Sequence, residues 1–341
     1  MKATYIEFAG LGRVEVRTEE VSTGDLAPWE VVVRSESSLV SAGTELAGLH
    51  NTENKPDPKF PRRTGYACVG RVVARGAAVT DFAVGARVFF AGKHASVQRF
   101  THGQDHQWGR LYPVPDDVPA EDAPFVCLAQ IAGIAPIITT LDLGDTVAVF
   151  GLGVIGNLAA QLYRIQGARV IGLDPVAARV ALARQVGIAD AVGAPAGEQV
   201  QAVLDRTGGR GAEVTVDAVG HSAVVENAVR ATARFGQVVL LGTPRAPHAA
   251  DLTPLLNAVH TQGLVVRGAH MWRLPAADVR EAKRNVAWAY RTMFAFMRDG
   301  RLNVAPLRSH FIPPARAPEA YRGLQEQRDR YWGVVFDWRD A

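Results

Sequence analysis

Residues 147–174 read Val-Ala-Val-Phe-Gly-Leu-Gly-Val-Ile-Gly-Asn-Leu-Ala-Ala-Gln-Leu-Tyr-Arg-Ile-Gln-Gly-Ala-Arg-Val-Ile-Gly-Leu-Asp. An apolar run, 147–150, leads directly into Gly151-x-Gly153-x-x-Gly156, a helical pattern ends at Gly167, and a second apolar run, 170–173, stops on Asp174. Each glycine has a mechanical use in a strand-turn-helix that binds a dinucleotide. Gly151 permits the tight turn, Gly153 lets a pyrophosphate approach the backbone, and Gly156 lets helix and strand pack closely. The free N–H groups of the helix N-terminus, at Val154 and Ile155, then face the phosphates. Asp174 stands 18 residues beyond Gly156, where a carboxylate accepts hydrogen bonds from the adenosine ribose hydroxyls. A 2′-phosphate there would meet its negative charge, so NAD is the expected cofactor, with NADP the alternative. Arg179 lies five residues on and would either neutralise such a phosphate or hydrogen-bond the ribose.

The motif begins at residue 151 of 341, so another unit precedes it. Residues 14–16, 31–34, 70–73 and 87–90 are short β-type runs separated by Gly24, Pro28, Gly76 and Gly85, a pattern of a mostly antiparallel domain. Beyond Cys127 the rhythm changes. Helical stretches at 175–186 and 222–234 alternate with strand-like runs at 213–218, 237–241 and 264–267, as in a doubly wound parallel sheet. A long helical pattern runs from 276 to 297, a shorter one lies near 318–327, and 333–338 is a strand whose simplest partner is the first domain. The expected organisation is α/β: a catalytic domain from residues 1–127 and 272–341, and a dinucleotide domain from 128–271. The run at 264–267 is either an edge through which two copies would pair or a strand buried within one subunit.

Composition narrows the class of partner. Thirty-seven basic and 34 acidic residues are interspersed, leaving a net charge of +3 and no basic tail for nucleic acid. No apolar stretch is long enough for a membrane span, and the first residues lack the apolar core of a signal peptide. Two cysteines, Cys68 and Cys127, form no disulfide framework. The expectation is a cytoplasmic protein acting on a small molecule.

Further segments resemble the medium-chain dehydrogenase/reductase superfamily, the relatives of zinc alcohol dehydrogenase, over essentially the whole chain. Ser41-Ala42-Gly43-Thr44-Glu45 is similar to the family's Cys-x-[Ser/Thr]-[Asp/Glu] segment, and Gly65-Tyr66-Ala67-x-x-Gly70-x-Val72 to its Gly-His-Glu-x-x-Gly-x-Val segment. Gly85-x-Arg87-Val88 resembles the family's Gly-Asp-x-Val turn. Asp217-Ala218-Val219-Gly220 and Leu241-Gly242-Thr243 resemble the loops beside the nicotinamide ribose, and His270-Met271-Trp272 the backbone that meets the carboxamide. The resemblance implies a GroES-like, mostly β catalytic domain joined to a Rossmann domain. It also implies a homodimer or homotetramer.

The departures bear on the chemistry. Zinc-dependent relatives hold the metal with a thiolate, an imidazole and a third thiolate or carboxylate. Here Ala42 and Tyr66 stand at the first two positions and only Cys127 at the third, and no cysteine lies between Phe90 and Tyr112, where a structural zinc lobe would be. One ligand does not make a three-ligand site, so no zinc is expected. His94, His102, Asp105 and His106 are either a replacement metal cluster or a polar surface loop.

Without zinc, protein groups must stabilise the substrate oxygen. Tyr66 either hydrogen-bonds that oxygen, with a nearby cation lowering its pKa, or fills vacated volume. Thr44 is a relay hydroxyl or a loop cap. Glu45 is a base, or pairs with Arg62 or Arg63. His94 is an acid/base or a hydrogen-bonded loop residue. Trp272 lines a cleft or packs between domains, and Cys127 is a packing residue.

The 41–45 segment and the Gly-Val-Val-Phe-Asp-Trp ending resemble the bacteriochlorophyllide-dehydrogenase-like branch. The leading expectation is a metal-independent oxidoreductase moving hydride between NAD(H) and a secondary alcohol or ketone, with Thr44, Glu45, Lys93 and His94 suiting a sugar- or cyclitol-like substrate. A quinone or enoyl reductase is the alternative, and a catalytically silent NAD(H)-binding protein the third possibility.

Overall fold

The computed structural model describes residues 1–53, 55–103, 109–276 and 282–341. The chain divides into two units. The first comprises Met1–Leu128, Leu274–Gly300 and Leu307–Ala341, and the second Ala129–Arg273 with Arg301–Pro306.

The first unit is built on period-2 strands. Its larger sheet runs His310–Ile312, Val334–Asp337, Glu30–Leu39, Cys68–Arg75, Arg87–Phe90, Leu111–Pro113, and Val97–Thr101 also pairs with Glu30–Leu39. Successive side chains of Glu30–Leu39 point to opposite faces. Val31 and Val33 therefore join Cys68, Val72, Val88 and Phe90, while Val32 packs with Ala3, Val21 and Val97. The C-terminal strand Val334–Asp337 pairs antiparallel with Glu30–Leu39, as its apolar alternation suggests. It brings Phe336 and Trp338 into a cluster with Ile6, Phe8, Leu49 and Tyr321. Burying each such ring is worth about 1.5–3 kcal/mol, enough to hold the chain end in place.

The second unit is a six-stranded parallel sheet ordered Asp190–Gly193, Arg169–Asp174, Thr146–Phe150, Ala212–Asp217, Thr232–Leu240, Val265–Gly268. Both faces of Thr146–Phe150 are covered, and all five residues are buried, which is why it reads as an unbroken apolar run. Strand order reverses between Thr146–Phe150 and Ala212–Asp217, so the strand ends there open a crevice. Helices Val154–Ile165, Ala177–Gln185, Gln199–Arg206, Ser222–Ala231 and Thr253–Gln262 belong to this unit.

The structure redraws parts of the sequence reading. The 222–234 helix stops at Ala231, because residues from Thr232 enter the sheet beside Ala212–Asp217. The helix expected from 276 is Val286–Arg298, with Asn285 as its cap; residues 277–281 lie outside the described residues. Asn303 exchanges two hydrogen bonds with Gln161, which ties 301–306 to the second unit. No described helix is long and apolar enough to cross a membrane.

Candidate active site

In the second unit, Gly151 has φ +92°, and a Cβ there would stand 2.6 Å from Val219 Cγ2. A Cβ on Gly156 would meet Gly151 O at 1.8 Å, so the helix can start this close to the strand only with glycine. Gly153 is different: nothing lies within 4 Å of its Cβ position. It is the N-cap of Val154–Ile165 and no side chain caps the helix. The first-turn N–H groups, Val154 and Ile155 among them, thus present a cradle with no protein group filling it. This arrangement fits the pyrophosphate of a dinucleotide.

Asp174 ends the second strand, as expected, but its carboxylate has partners that the motif does not reveal. Oδ2 accepts from Leu152 N–H at 2.8 Å, Oδ1 from Val176 N–H at 2.8 Å, and Arg179 Nη1 lies 3.5 Å from Oδ2. Arg179 is therefore ion-paired to the acid that should repel a 2′-phosphate. Asp174→Asn is expected to shift kcat/KM from NAD toward NADP by about ten- to a hundredfold, since a hydrogen bond to a charged group is worth about 1.5–3 kcal/mol. Paired assays with the two cofactors read this directly, and an unchanged ratio would remove Asp174 from cofactor choice.

Across the strand reversal, Asp217 shapes the next loop. Its Oδ1 accepts from Val219 N–H (2.9 Å) and Gly220 N–H (3.1 Å), and burial pushes its carboxyl up despite those bonds. Gly242 packs so close that a Cβ would stand 2.1 Å from Gly220 N. Val219, Thr243 and His270 are exposed at this end of the sheet, while Trp272, 71% exposed, donates its backbone N–H to His270 Nδ1 at 3.4 Å.

In the first unit the helix Ala42–His50 carries Thr44 and Glu45. Ser41 is its N-cap, so Thr44 is not a cap: it sits exposed in the first turn. Tyr66 is half-buried, and its hydroxyl donates to Ser41 Oγ, with Thr44 as a further hydrogen-bond partner. Burial drives its phenol well above the ordinary value, and Cys127 adds to this. The expected pKa-lowering cation is not among its determinants; Tyr66 is a protonated donor.

Glu45 and His94 need a correction. Glu45 is 2% exposed and His94 is fully buried, so neither is placed to meet a substrate directly. Glu45 pairs with neither arginine: Arg63 bonds Glu19 at 2.7 Å, and Arg62 stands over the Phe8 and Phe60 rings. Instead Glu45 accepts from Ser41 N–H (2.7 Å), Thr64 Oγ1 (2.8 Å), Tyr321 OH (2.6 Å) and His94 Nε2 (3.1 Å). Beyond it, Trp338 Nε1 donates to Ser38 Oγ (2.8 Å), which contacts His94 Nδ1 (2.7 Å). An indole N–H can only donate, so the Ser38 proton points to Nδ1 and the His94 proton sits on Nε2, an assignment made from the network. Burial pushes the Glu45 carboxyl up, but His94, Tyr321 and the Ser41 N–H together hold it below the ordinary value. Sequence spacing flagged Glu45 and His94 but missed Ser38, Thr64, Tyr321 and Trp338, which lie up to 300 residues apart.

The zinc positions are a poor fit for a metal. Ala42 offers no ligand atom, and the Tyr66 hydroxyl is engaged by Ser41. The buried Cys127 thiol donates to Tyr66 O at 3.7 Å; burial pushes it up to about 12, although Tyr290 works in the other direction. A metal ligand must be deprotonated, so this set does not match the chemistry. Of the alternative cluster, His94 is engaged by Glu45, His102 Nδ1 accepts from Leu111 N–H at 3.3 Å, and Asp105 and His106 lie outside the described residues. Among the described residues no group of three or more His, Cys, Asp or Glu could hold a metal.

Comparison with known proteins agrees with this architecture. The family model described as zinc-binding dehydrogenase matches residues 154–287. D-Guloside 3-dehydrogenase of Escherichia coli is 26% identical over 80% of this chain and 77% of its own. An alcohol dehydrogenase of Geobacillus stearothermophilus is 28% identical over 78% and 84%. A short chain alcohol dehydrogenase of Escherichia coli CFT073, solved with NADH, superposes with a TM-score of 0.80 at 17% identity, covering 98% of this chain and 99% of that one. In sequence and fold the chain is similar to alcohol-dehydrogenase-like, medium-chain dehydrogenases. These relatives are named as dehydrogenases.

Proposed function

We propose that this protein is a metal-independent, NAD-dependent dehydrogenase that interconverts a secondary alcohol and a ketone on a hydroxylated, sugar- or cyclitol-like substrate. The observation that carries the reading is Tyr66: a phenol kept protonated by burial where zinc-dependent relatives have a ligand, beside a thiol that is also kept protonated. Bound NAD(H) supplies or accepts the hydride; Gly153, Val154 and Ile155 would hold its pyrophosphate and Asp174 its ribose. In the reducing direction the Tyr66 O–H turns from Ser41 Oγ to the carbonyl oxygen, Ser41 donating to the phenol oxygen in its place, and gives the carbonyl a proton as negative charge develops there. Ser41 fixes the phenol, and exposed Thr44 connects it to solvent. In the oxidising direction the same atoms take the proton back. Glu45 and His94 act as positioning residues, holding Ser41 through its N–H.

Titration of chelator-treated protein with NADH and NADPH, followed by polyols, ketones, quinones and enones with zinc assayed in parallel, tests this reading. Turnover of a polyol with NAD after chelation supports it. Activity that returns only with zinc overturns metal independence, NADPH-driven reduction of enones or quinones identifies a reductase, and tight NADH binding without turnover identifies a silent binder.

We also propose a homodimer formed through the free side of Val265–Gly268. It is an edge strand, and Val265 and Val266 are 42% and 44% exposed. Unpaired edges of this kind are sites for strand addition. Val266→Asp is expected to convert the dimer to monomer in sedimentation; an unchanged mass would exclude this edge. Two free, buried cysteines suit a reducing cytoplasm.

A further inference from the structure

A cavity of about 380 Å³ lies within the first unit, between residues 81–82, 102 and 110–113 on one side and 276, 282–285, 287–288 and 291 on the other. Its charge is lopsided. Among the described residues, Arg110, Lys283, Arg284 and Arg291 line it against one carboxylate, Asp81. Among the described residues, no ion pair is made by Lys283, Arg284 or Arg291. The 13-residue helix Val286–Arg298 begins at this cavity, and Asn285, Ala287 and Trp288 from its first turn are part of the wall. Asn285 Oδ1 caps the Trp288 N–H at 2.7 Å and Pro275 O accepts from the Val286 N–H at 3.0 Å, so the N-terminus adds partial positive charge and the Ala287 N–H to the side-chain cations.

Two buried polar side chains in the wall have donors to spare. His102 is 7% exposed and Tyr112 5% exposed. His102 Nδ1 accepts from Leu111 N–H, which leaves the proton of the neutral ring on Nε2, and burial favours that neutral form. The Tyr112 hydroxyl has no hydrogen-bond partner among the described residues. Buried polar groups are normally satisfied, so a wall with such donors calls for an acceptor. Trp288 and Phe82 supply apolar faces, with the Arg284 guanidinium over the Trp288 ring at 5.1 Å. The volume is of the size that encloses a small organic molecule.

We propose that this cavity binds a small organic phosphate, its phosphoryl group held by the Lys283 and Arg291 cations with the helix N-terminus, and its carbon skeleton against Trp288. The phosphate supplies acceptor oxygens in the number these donors require, and arginine is suited to it by its planar fork. The site stands independently of the dehydrogenase reading, because all its described residues belong to the first unit and none is among Ser41, Thr44 or Tyr66.

Calorimetric titration of the full-length protein with a hexose 6-phosphate, with inorganic phosphate and with the parent hexose tests it. The hexose phosphate is expected to bind at least tenfold more tightly than either fragment, and Lys283→Ala/Arg291→Ala to weaken it about tenfold or more. Arg234→Ala, which removes a cation beside Phe235, is expected to change nothing. Tyr112→Phe is expected to weaken binding while leaving Tm unchanged or raised, because it deletes a hydroxyl that has no partner in the unliganded protein. Equal binding of hexose and hexose phosphate, or full affinity in the double variant with an unchanged Tm, would overturn the proposal. Binding of inorganic phosphate as tight as the hexose phosphate would overturn the organic part of it.

Discussion

Tyr66→Phe is expected to lower kcat for the alcohol–ketone reaction by about 10²–10³-fold, the usual effect of deleting one preorganised donor at a developing oxyanion. KM for NADH should stay near the wild-type value, because the glycine cradle is built from the other unit's residues. The expected cost to the fold is small: the phenol's partners are the Ser41 hydroxyl and the exposed Thr44, and the substitution deletes one hydrogen bond while keeping the ring. Ser41→Ala should show a smaller loss in the same direction, because it leaves the donor in place but unfixed. Steady-state kinetics with one polyol and its ketone read both. Wild-type turnover in Tyr66→Phe would transfer the acid role to another group and remove the main support for a metal-free route.

The largest stability effect is expected at Glu45. Its carboxylate is the common acceptor for Ser41, Thr64, Tyr321 and His94. Glu45→Ala leaves these donors without their acceptor in the interior, and the expected cost is about 3–5 kcal/mol, that of breaking a buried polar network by removing one partner. Glu45→Gln keeps the shape and one acceptor oxygen and should recover part of it. The acid response carries its own sign. The folded carboxyl lies below its ordinary value of 4.5, so the unfolded chain binds the proton first. The stability contributed by Glu45 is complete above pH 4.5 and is lost as pH falls through its lower folded value. Urea titrations at neutral and acid pH should therefore show the gap between wild type and Glu45→Ala narrowing in acid. A gap that stays constant would mean that His94 and Tyr321, not ionised Glu45, hold the network.

Much of the fold was readable because its signals are local. Gly151, Gly153 and Gly156 each answer a steric demand made within six residues, and Thr146–Phe150 announces a strand buried on both faces by its unbroken apolar run. The same locality explains the errors. The 222–234 pattern is apolar enough for a helix throughout, yet from Thr232 the sheet's open edge beside Ala212–Asp217 claims the chain. Helix and strand compete there for the same backbone groups, and the partner that decides is 20 residues away. At the site, Tyr66 was legible as a replacement of an expected ligand and Cys127 as the one retained, but the burial that raises their pKa values was not.

By itself the sequence determined the dinucleotide turn, the parallel and antiparallel halves, and the residue types standing at the former metal positions, because each depends on spacing within a segment or on a side chain's own chemistry. Only the tertiary structure decided that Glu45 and His94 face one another in the interior, that Asp174 shares its carboxylate with Leu152, Val176 and Arg179, and that Lys283 and Arg291 gather with His102 and Tyr112 around one cavity. Those outcomes turn on burial and on hydrogen-bond partners brought from distant parts of the chain, and a charge or hydroxyl takes its protonation and its task from those neighbours rather than from its place in the sequence.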